Sequence, residues 1–192
     1  MSVSAAAMQN VVGDARIILQ FLIIPVFAPQ ALRAKIRKLL LFVRTLMAHS
    51  IRVVIAAPHA LVLNGLIALI NDSPSAVEVV GSFNGIETAE RALDTLEADV
   101  LLVEDEFPPS IKMAEVFSRM HQRQPKLGII VLSGRLNTSY LQTVFSAGAS
   151  GYIFREDPLE DVLVIGIQTV HRGHFYSSPS ISSLLLGQLS LK

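Results

Sequence analysis

The sequence predicts an α/β fold built on a doubly wound parallel sheet, and three observations carry that prediction. From Ile51 onward, short β-branched runs bounded by turn residues alternate with stretches of helical periodicity. The runs are apolar along nearly their whole length, as strands covered on both faces are. A helical stretch separates each pair of runs, so the strands are joined by crossovers. Right-handed crossovers then confine the chain to one sheet with helices on both sides.

The elements follow in order. Ile51–Ala56 is a buried strand and His59–Ile70 a helix. Val77–Val80 is a strand, and Gly81 to Gly85 a turn-rich link. Ile86–Leu96 is a helix with Thr88, Glu90 and Arg91 on its wet side, and Asp99–Glu104 a strand. Pro108, Pro109 and Ser110 open a helix that runs to about Gln124, where Pro125 ends it. Gly128–Ser133 is a strand, Asn137–Ala147 a helix, and Gly151–Phe154 a strand after a Gly148–Gly151 turn. Pro158–His171 is a helix, and Pro179–Leu186 a last short one stopped by Gly187. That makes five strands, with no internal repeat.

The chain of 192 residues is long enough for one domain plus an extension. Formal net charge is zero, so the whole chain has no electrostatic signature of a nucleic-acid binder. Residues 1–50 differ from the rest. They carry Arg16, Arg33, Lys35, Arg37, Lys38 and Arg44 against the single acid Asp14, and the remainder is mildly acidic. Ile17 to Ala28 is apolar but too short for a comfortable membrane span. Residues 31–47 repeat Leu32, Ile36, Leu39, Leu40, Val43 and Met47 at helical spacing among basic residues, the pattern of an amphipathic helix suited to a membrane surface or a partner. A competing reading takes Met47 as the true start of the protein. The absence of cysteine excludes disulfides, thiol catalysis and Cys-ligated metal. His59, His121, His171 and His174 show no ligand-type spacing with acids. No phosphate-cradling glycine loop, nucleophile elbow or H-E-x-x-H occurs. No catalytic residue, cofactor or metal is therefore expected.

In a doubly wound sheet the functional site lies at the carboxyl ends of the strands. Ala57 and Pro58, Glu104 to Pro109, Ser133 and Arg155 occupy those ends. Seven segments there and around them, in order and with compatible spacing, resemble the receiver domain of LuxR-type helix-turn-helix response regulators. They are Ile51–Ala56, His59–Leu66, Val79–Gly81 with Asn84–Gly85, Asp99–Glu104 with Phe107–Pro108, Leu132–Ser133, Gly148–Arg155 and Gly173–Pro179. The resemblance covers residues 51–185 and implies the flavodoxin-like receiver fold with strand order 2-1-3-4-5. It divides the chain into an N-terminal extension (1–50), a receiver-like domain (51–173) and a C-terminal linker with a short helix (174–192).

The departures from that family carry the functional expectation. Receivers hold Mg²⁺ with two adjacent acids after the first strand and a phosphoacceptor aspartate after the third. Here Ala57 and Pro58 replace the acids, and neither side chain offers an oxygen. Glu104 stands at the phosphoacceptor position and Arg155 at that of the pocket lysine. Ser133 keeps the switch hydroxyl, and Tyr152 the switch aromatic. The pocket is thus expected to be degenerate, a pseudo-receiver independent of phosphorylation. On one reading Glu104 mimics the phosphorylated state, held bidentately by Arg155 and hydrogen-bonded by Ser133. On the other it pairs loosely with Arg155 at the surface. Residual phosphoacceptance on Glu104 or Asp105 is the alternative, with Asp105 disfavoured because neighbouring strand residues point to opposite faces.

Leu63 and Ile67 on the first helix, and Val162, Val164 and Ile165 on the last major one, suggest an apolar patch shared by neighbouring helices. A homodimer or another signalling protein is the expected partner. The family's DNA-reading domain has too little room after Pro179, so no direct DNA contact is expected. The resemblance implies a cytoplasmic protein, peripheral to the membrane if residues 31–47 dock there.

Overall fold

The computed structural model describes residues 50–189. The expectations for the N-terminal extension, including the amphipathic helix at 31–47 and the start at Met47, fall outside them, as do the last three residues. The described chain runs β1 (Ile51–Ala56), α1 (Ala60–Asn71), β2 (Val77–Phe83), α2 (Ile86–Ala92), β3 (Val100–Glu104), α3 (Met113–Arg123), β4 (Gly128–Ser133), α4 (Thr138–Ser146), β5 (Gly151–Phe154), α5 (Leu159–His171), β6 (Tyr176–Ser177) and α6 (Pro179–Leu189). All strand pairs are parallel, in the order β2-β1-β3-β4-β5-β6. The doubly wound sheet and its 2-1-3-4-5 order stand as expected, with one strand added at the edge.

Strand alternation sorts the core onto two faces. Val53, Ile55, Leu102, Leu132 and Ile153 meet α1 and α5 through Leu63, Leu66, Ile70, Leu163 and Ile167. Val54, Val103, Ile129, Val131 and Tyr152 meet α2, α3, α4 and α6 through Ile86, Phe117, Leu141, Val144 and Ile181. β3 and β4 are buried at every residue, so they carry the continuous apolar runs.

Five local expectations are corrected, two of them by strand pairing. β2 does not stop at Val80. It runs through Gly81 to Phe83 because β1 continues beside it, with a register shift between Val53 and Val54 that places Gly81 opposite Val54. α2 ends at Ala92, short of Leu96, and the chain leaves it in single turns, Asp94 N donating to Arg91 O and Thr95 N to Ala92 O. α3 begins only at Met113, because residues 108–111 form a separate turn in which Ile111 N donates to Pro108 O at 2.9 Å. Residues 176–177, expected as linker, form β6. Tyr176 N donates to Ser150 O at 3.0 Å and Ser178 N to Tyr152 O at 3.0 Å, which adds a strand to the edge of β5. Gly166 of α5 makes room for it, since a Cβ there would lie 2.9 Å from the Tyr176 ring. Asp157 then fastens α6, accepting from Ser180 N at 3.3 Å and from Ser180 Oγ at 2.5 Å. The last helix also continues past Gly187, which was expected to stop it.

The expected apolar patch is corrected as well. Leu63 and Val162 are 6% and 5% exposed and belong to the core. α1 turns Leu63, Leu66 and Ile70 to the sheet, which leaves Val62 and Leu69 on its flanks and exposes Leu61. One residue of phase is 100° of rotation, enough to exchange the inward and flanking sets. Ile67 and Val164 are half-buried, and Ile165 is exposed.

Candidate functional site: two carboxylate clusters at the strand ends

The carboxyl ends of β1, β3, β4 and β5 meet as the topology requires. Ala57 follows β1 and donates its N–H to Phe83 O at 3.0 Å. Its methyl group is fully buried among the core residues under α1, and Pro58 beside it is half-buried. Apolar matter therefore fills the place where the first of two acids would stand.

Glu104 closes β3 and is fully buried. Arg155 follows β5, its N–H bonded to Ser133 O at 2.9 Å. Its guanidinium bridges two carboxylates. Nη1 donates to Glu104 Oε1 at 3.1 Å, and Nη2 to Glu106 Oε1. A Cβ on Gly134 would lie 2.8 Å from Nη2, so the guanidinium passes close over the Gly134 backbone. The expected bidentate grip on Glu104 is replaced by this bridge, because Glu106 competes for the same planar fork. The hydrogen bond from Arg155 holds the Glu106 carboxyl below its ordinary range against the opposing effect of desolvation, with help from the charges of Arg155, His59 and Arg135. Glu106 in turn raises Arg155.

His59, at the N-cap of α1, completes the cluster. Its side chain makes no capping hydrogen bond. Nδ1 stands 3.4 Å from both Glu104 oxygens and 3.8 Å from Glu106 Oε2. His59, Glu104 and Glu106 form the one group of three described residues with donor atoms spaced as metal ligands are, all within 4.8 Å. Sequence spacing missed it. The available signal was that each side chain lies two residues beyond a strand-end position, His59 after Ala57 and Glu106 after Glu104.

A second cluster sits on the other side of β3. Asp105 is 2% exposed, and its Oδ2 accepts from Ser133 Oγ at 2.7 Å. Ser133 thus serves Asp105 and not Glu104, as had been expected. The register explains it. Glu104 pairs with Leu132, so Ser133 shares the face of the next residue, Asp105. Ser133 Oγ also accepts from Arg135 N at 3.0 Å, and Arg135 Nε lies 3.7 Å from Asp105 Oδ2. Asp105 Oδ1 is buried without a hydrogen bond. Tyr152 is fully buried and donates to Arg135 O at 2.8 Å. Burial pushes its phenol up to about 12, so the ring remains a neutral donor. Tyr140 meets it edge-on at 6.4 Å and carries Arg135 over its own face at 4.6 Å.

Comparison with known proteins bears on the fold. No family model matches the chain. It is 26% identical over 137 residues to the oxygen regulatory protein NreC of Staphylococcus epidermidis, covering 71% of this chain and 62% of that protein. Identity to NreC of Staphylococcus carnosus is 27% over the same length. The chain thus spans less than two thirds of the length of these relatives. The isolated receiver (REC) domain of RcsB from Salmonella enterica serovar Typhimurium, solved with the phosphomimetic BeF₃⁻, superimposes with a TM-score of 0.62 at 24% identity, over 71% of this chain and 99% of that one. A LuxR-family two-component response regulator from Aurantimonas sp. SI85-9A1 superimposes with a TM-score of 0.68 at 21% identity, over 74% of this chain and 99% of that one. RcsB is bound to promoter DNA in another such structure, so the expectation that this chain makes no DNA contact gains no support. Among the described residues no helix is long and apolar enough to cross a membrane. The described residues have the fold of a response-regulator receiver domain.

Proposed function

We propose that this chain is a phosphorylation-independent receiver that acts as a protein-interaction module in bacterial signal transduction. The observation that carries the reading is the Arg155 guanidinium bridging Glu104 and Glu106, beside the buried methyl of Ala57.

Phosphoryl transfer to a carboxylate depends on positioning and on cations that offset the charge of the incoming group. Mg²⁺ would supply that charge in a receiver, and it requires oxygen donors in near-octahedral array. The side chains of Ala57 and Pro58 provide none, and one oxygen of Glu104 is committed to Arg155. The residues do not fit that ion. Arg155 brings a single positive charge, already divided between two carboxylates, so a phosphodianion approaching Glu104 meets net repulsion. Asp105, the alternative acceptor, is enclosed and bonded to Ser133.

The pocket is therefore built as a fixed ion-pair network. Its output passes through surfaces and not through a chemical step. Ile165, with the half-buried Ile67 and Val164, marks the candidate surface for a second copy or another cytoplasmic signalling protein. Recruitment to a membrane surface through residues 31–47 is a further role that the described residues do not address.

The test is incubation of the full chain with a small-molecule phosphodonor and Mg²⁺, read by intact mass. The expected result is an unmodified protein. A stoichiometric, base-labile phosphoryl adduct would establish residual phosphoacceptance on Glu104 or Asp105 instead.

A further inference from the structure

We propose that His59 Nδ1, Glu104 Oε2 and Glu106 Oε2 form a binding site for a borderline divalent transition-metal ion such as Zn²⁺, with Arg155 bracing both carboxylates from their other oxygens.

The distances argue for a shared ion over direct hydrogen bonds. His59 Nδ1 is 3.4 Å from each Glu104 oxygen and 3.8 Å from Glu106 Oε2. A hydrogen bond from a ring nitrogen to a carboxylate closes to about 2.7–3.2 Å. Two metal–ligand bonds of about 2.1 Å at the tetrahedral angle are spanned by an edge of about 3.4 Å. The imidazole stands at ligand spacing, and its side chain makes no capping hydrogen bond to α1.

The oxygens are already divided between two tasks. Arg155 takes Oε1 of Glu104 and Oε1 of Glu106, and His59 Nδ1 lies 3.4 Å from both Glu104 oxygens and 3.8 Å from Glu106 Oε2, so Oε2 of each carboxylate is left for an ion. A guanidinium on the far oxygen of each ligand fixes the carboxylate's rotation without occupying the metal's place, as polar neighbours of metal ligands do. Glu104 is fully buried, whereas His59 and Glu106 have exposed side chains, so an ion has a rigid inner ligand and an open entry side. One imidazole with two carboxylates suits Zn²⁺, Mn²⁺ or Co²⁺, and the nitrogen donor discriminates against Mg²⁺.

This inference goes beyond the reading above. It gives the pocket a chemical input in place of the phosphoryl group. The phosphodonor assay contains magnesium only, so the failure of either proposal leaves the other standing.

The test uses full-length protein stripped with chelator and titrated with Co²⁺, followed by its visible absorption, with Zn²⁺ as competitor. One equivalent is expected to bind, to be displaced by Zn²⁺, and to resist a large excess of Mg²⁺. His59→Ala and Glu106→Gln, each checked for folding by circular dichroism, should each weaken binding about tenfold or more. His121→Ala, at an exposed histidine on α3, should leave it unchanged. Absence of saturable binding would overturn the proposal. So would His59→Ala binding as tightly as the parent, or Mg²⁺ displacing Co²⁺ at equal concentration.

Discussion

Removing the guanidinium of Arg155 should cost far more than the loss of a surface ion pair. Glu104 is fully buried, and without Arg155 its nearest polar neighbour is His59 at 3.4 Å. Breaking a buried pair by deleting one partner costs about 3–5 kcal/mol. The Arg155 side chain is 29% exposed, so water entering the vacated space lowers the expected loss for Arg155→Ala to about 2–3 kcal/mol. At about 3 °C per kcal/mol for a domain of this size, Tm should fall by about 6–9 °C. Urea unfolding followed by circular dichroism at neutral pH measures it. Adding Glu104→Gln to Arg155→Ala removes the stranded charge and should restore about half the loss. The pH dependence has a definite sign. Glu106 titrates below its ordinary value of 4.5 in the folded chain, chiefly through its hydrogen bond from Arg155. Its contribution is therefore present above that value and is lost as pH falls through the lowered one, so the gap between parent and Arg155→Ala should narrow in acid. A loss under about 0.5 kcal/mol, or a double variant no more stable than Arg155→Ala, would refute the reasoning and make the bridge an ordinary surface pair.

Three further substitutions test the packing and the surface. A Cβ at Gly128, where β4 begins, would lie 2.3 Å from Val170 Cγ1, so Gly128→Ala should destabilise by about 2 kcal/mol and Val170→Ala in the same chain should recover part of it. Leu63→Ala should cost about 2–4 kcal/mol in urea unfolding because Leu63 is core. Ile165→Ser should stay within about 0.5 kcal/mol. If Ile165 lies in a contact between two copies, sedimentation of the Ile165→Ser protein will show a shift to monomer.

The sheet was legible because β3, β4 and β5 are nearly continuous apolar runs and β1 is broken only by Arg52, and strand ends converge in any doubly wound fold. Ala57, Glu104 and Arg155 therefore had to meet once the topology was fixed. Helix phase was not legible at that resolution. α1 carries Leu61, Val62, Leu63, Leu66, Ile67, Leu69 and Ile70, apolar on more than one face, so its pattern alone does not select Leu63 over Val62 as core. β6 has two residues, and its pairing depends on carbonyls of Ser150 and Tyr152 that local sequence does not reveal. The partner of Ser133 was misjudged for a related reason. The β3–β4 register, which sets Glu104 against Leu132 and so gives Ser133 to Asp105, is a property of two strands and not of either one.

A phosphorylation-independent pocket, as proposed, holds Arg155 where a receiver would hold magnesium. Crystals soaked in magnesium test it most directly. The expected density has the Arg155 guanidinium still bridging Glu104 and Glu106, with no ordered ion between the ends of β1 and β3. An octahedral magnesium ion there, with Arg155 turned away, would contradict the account.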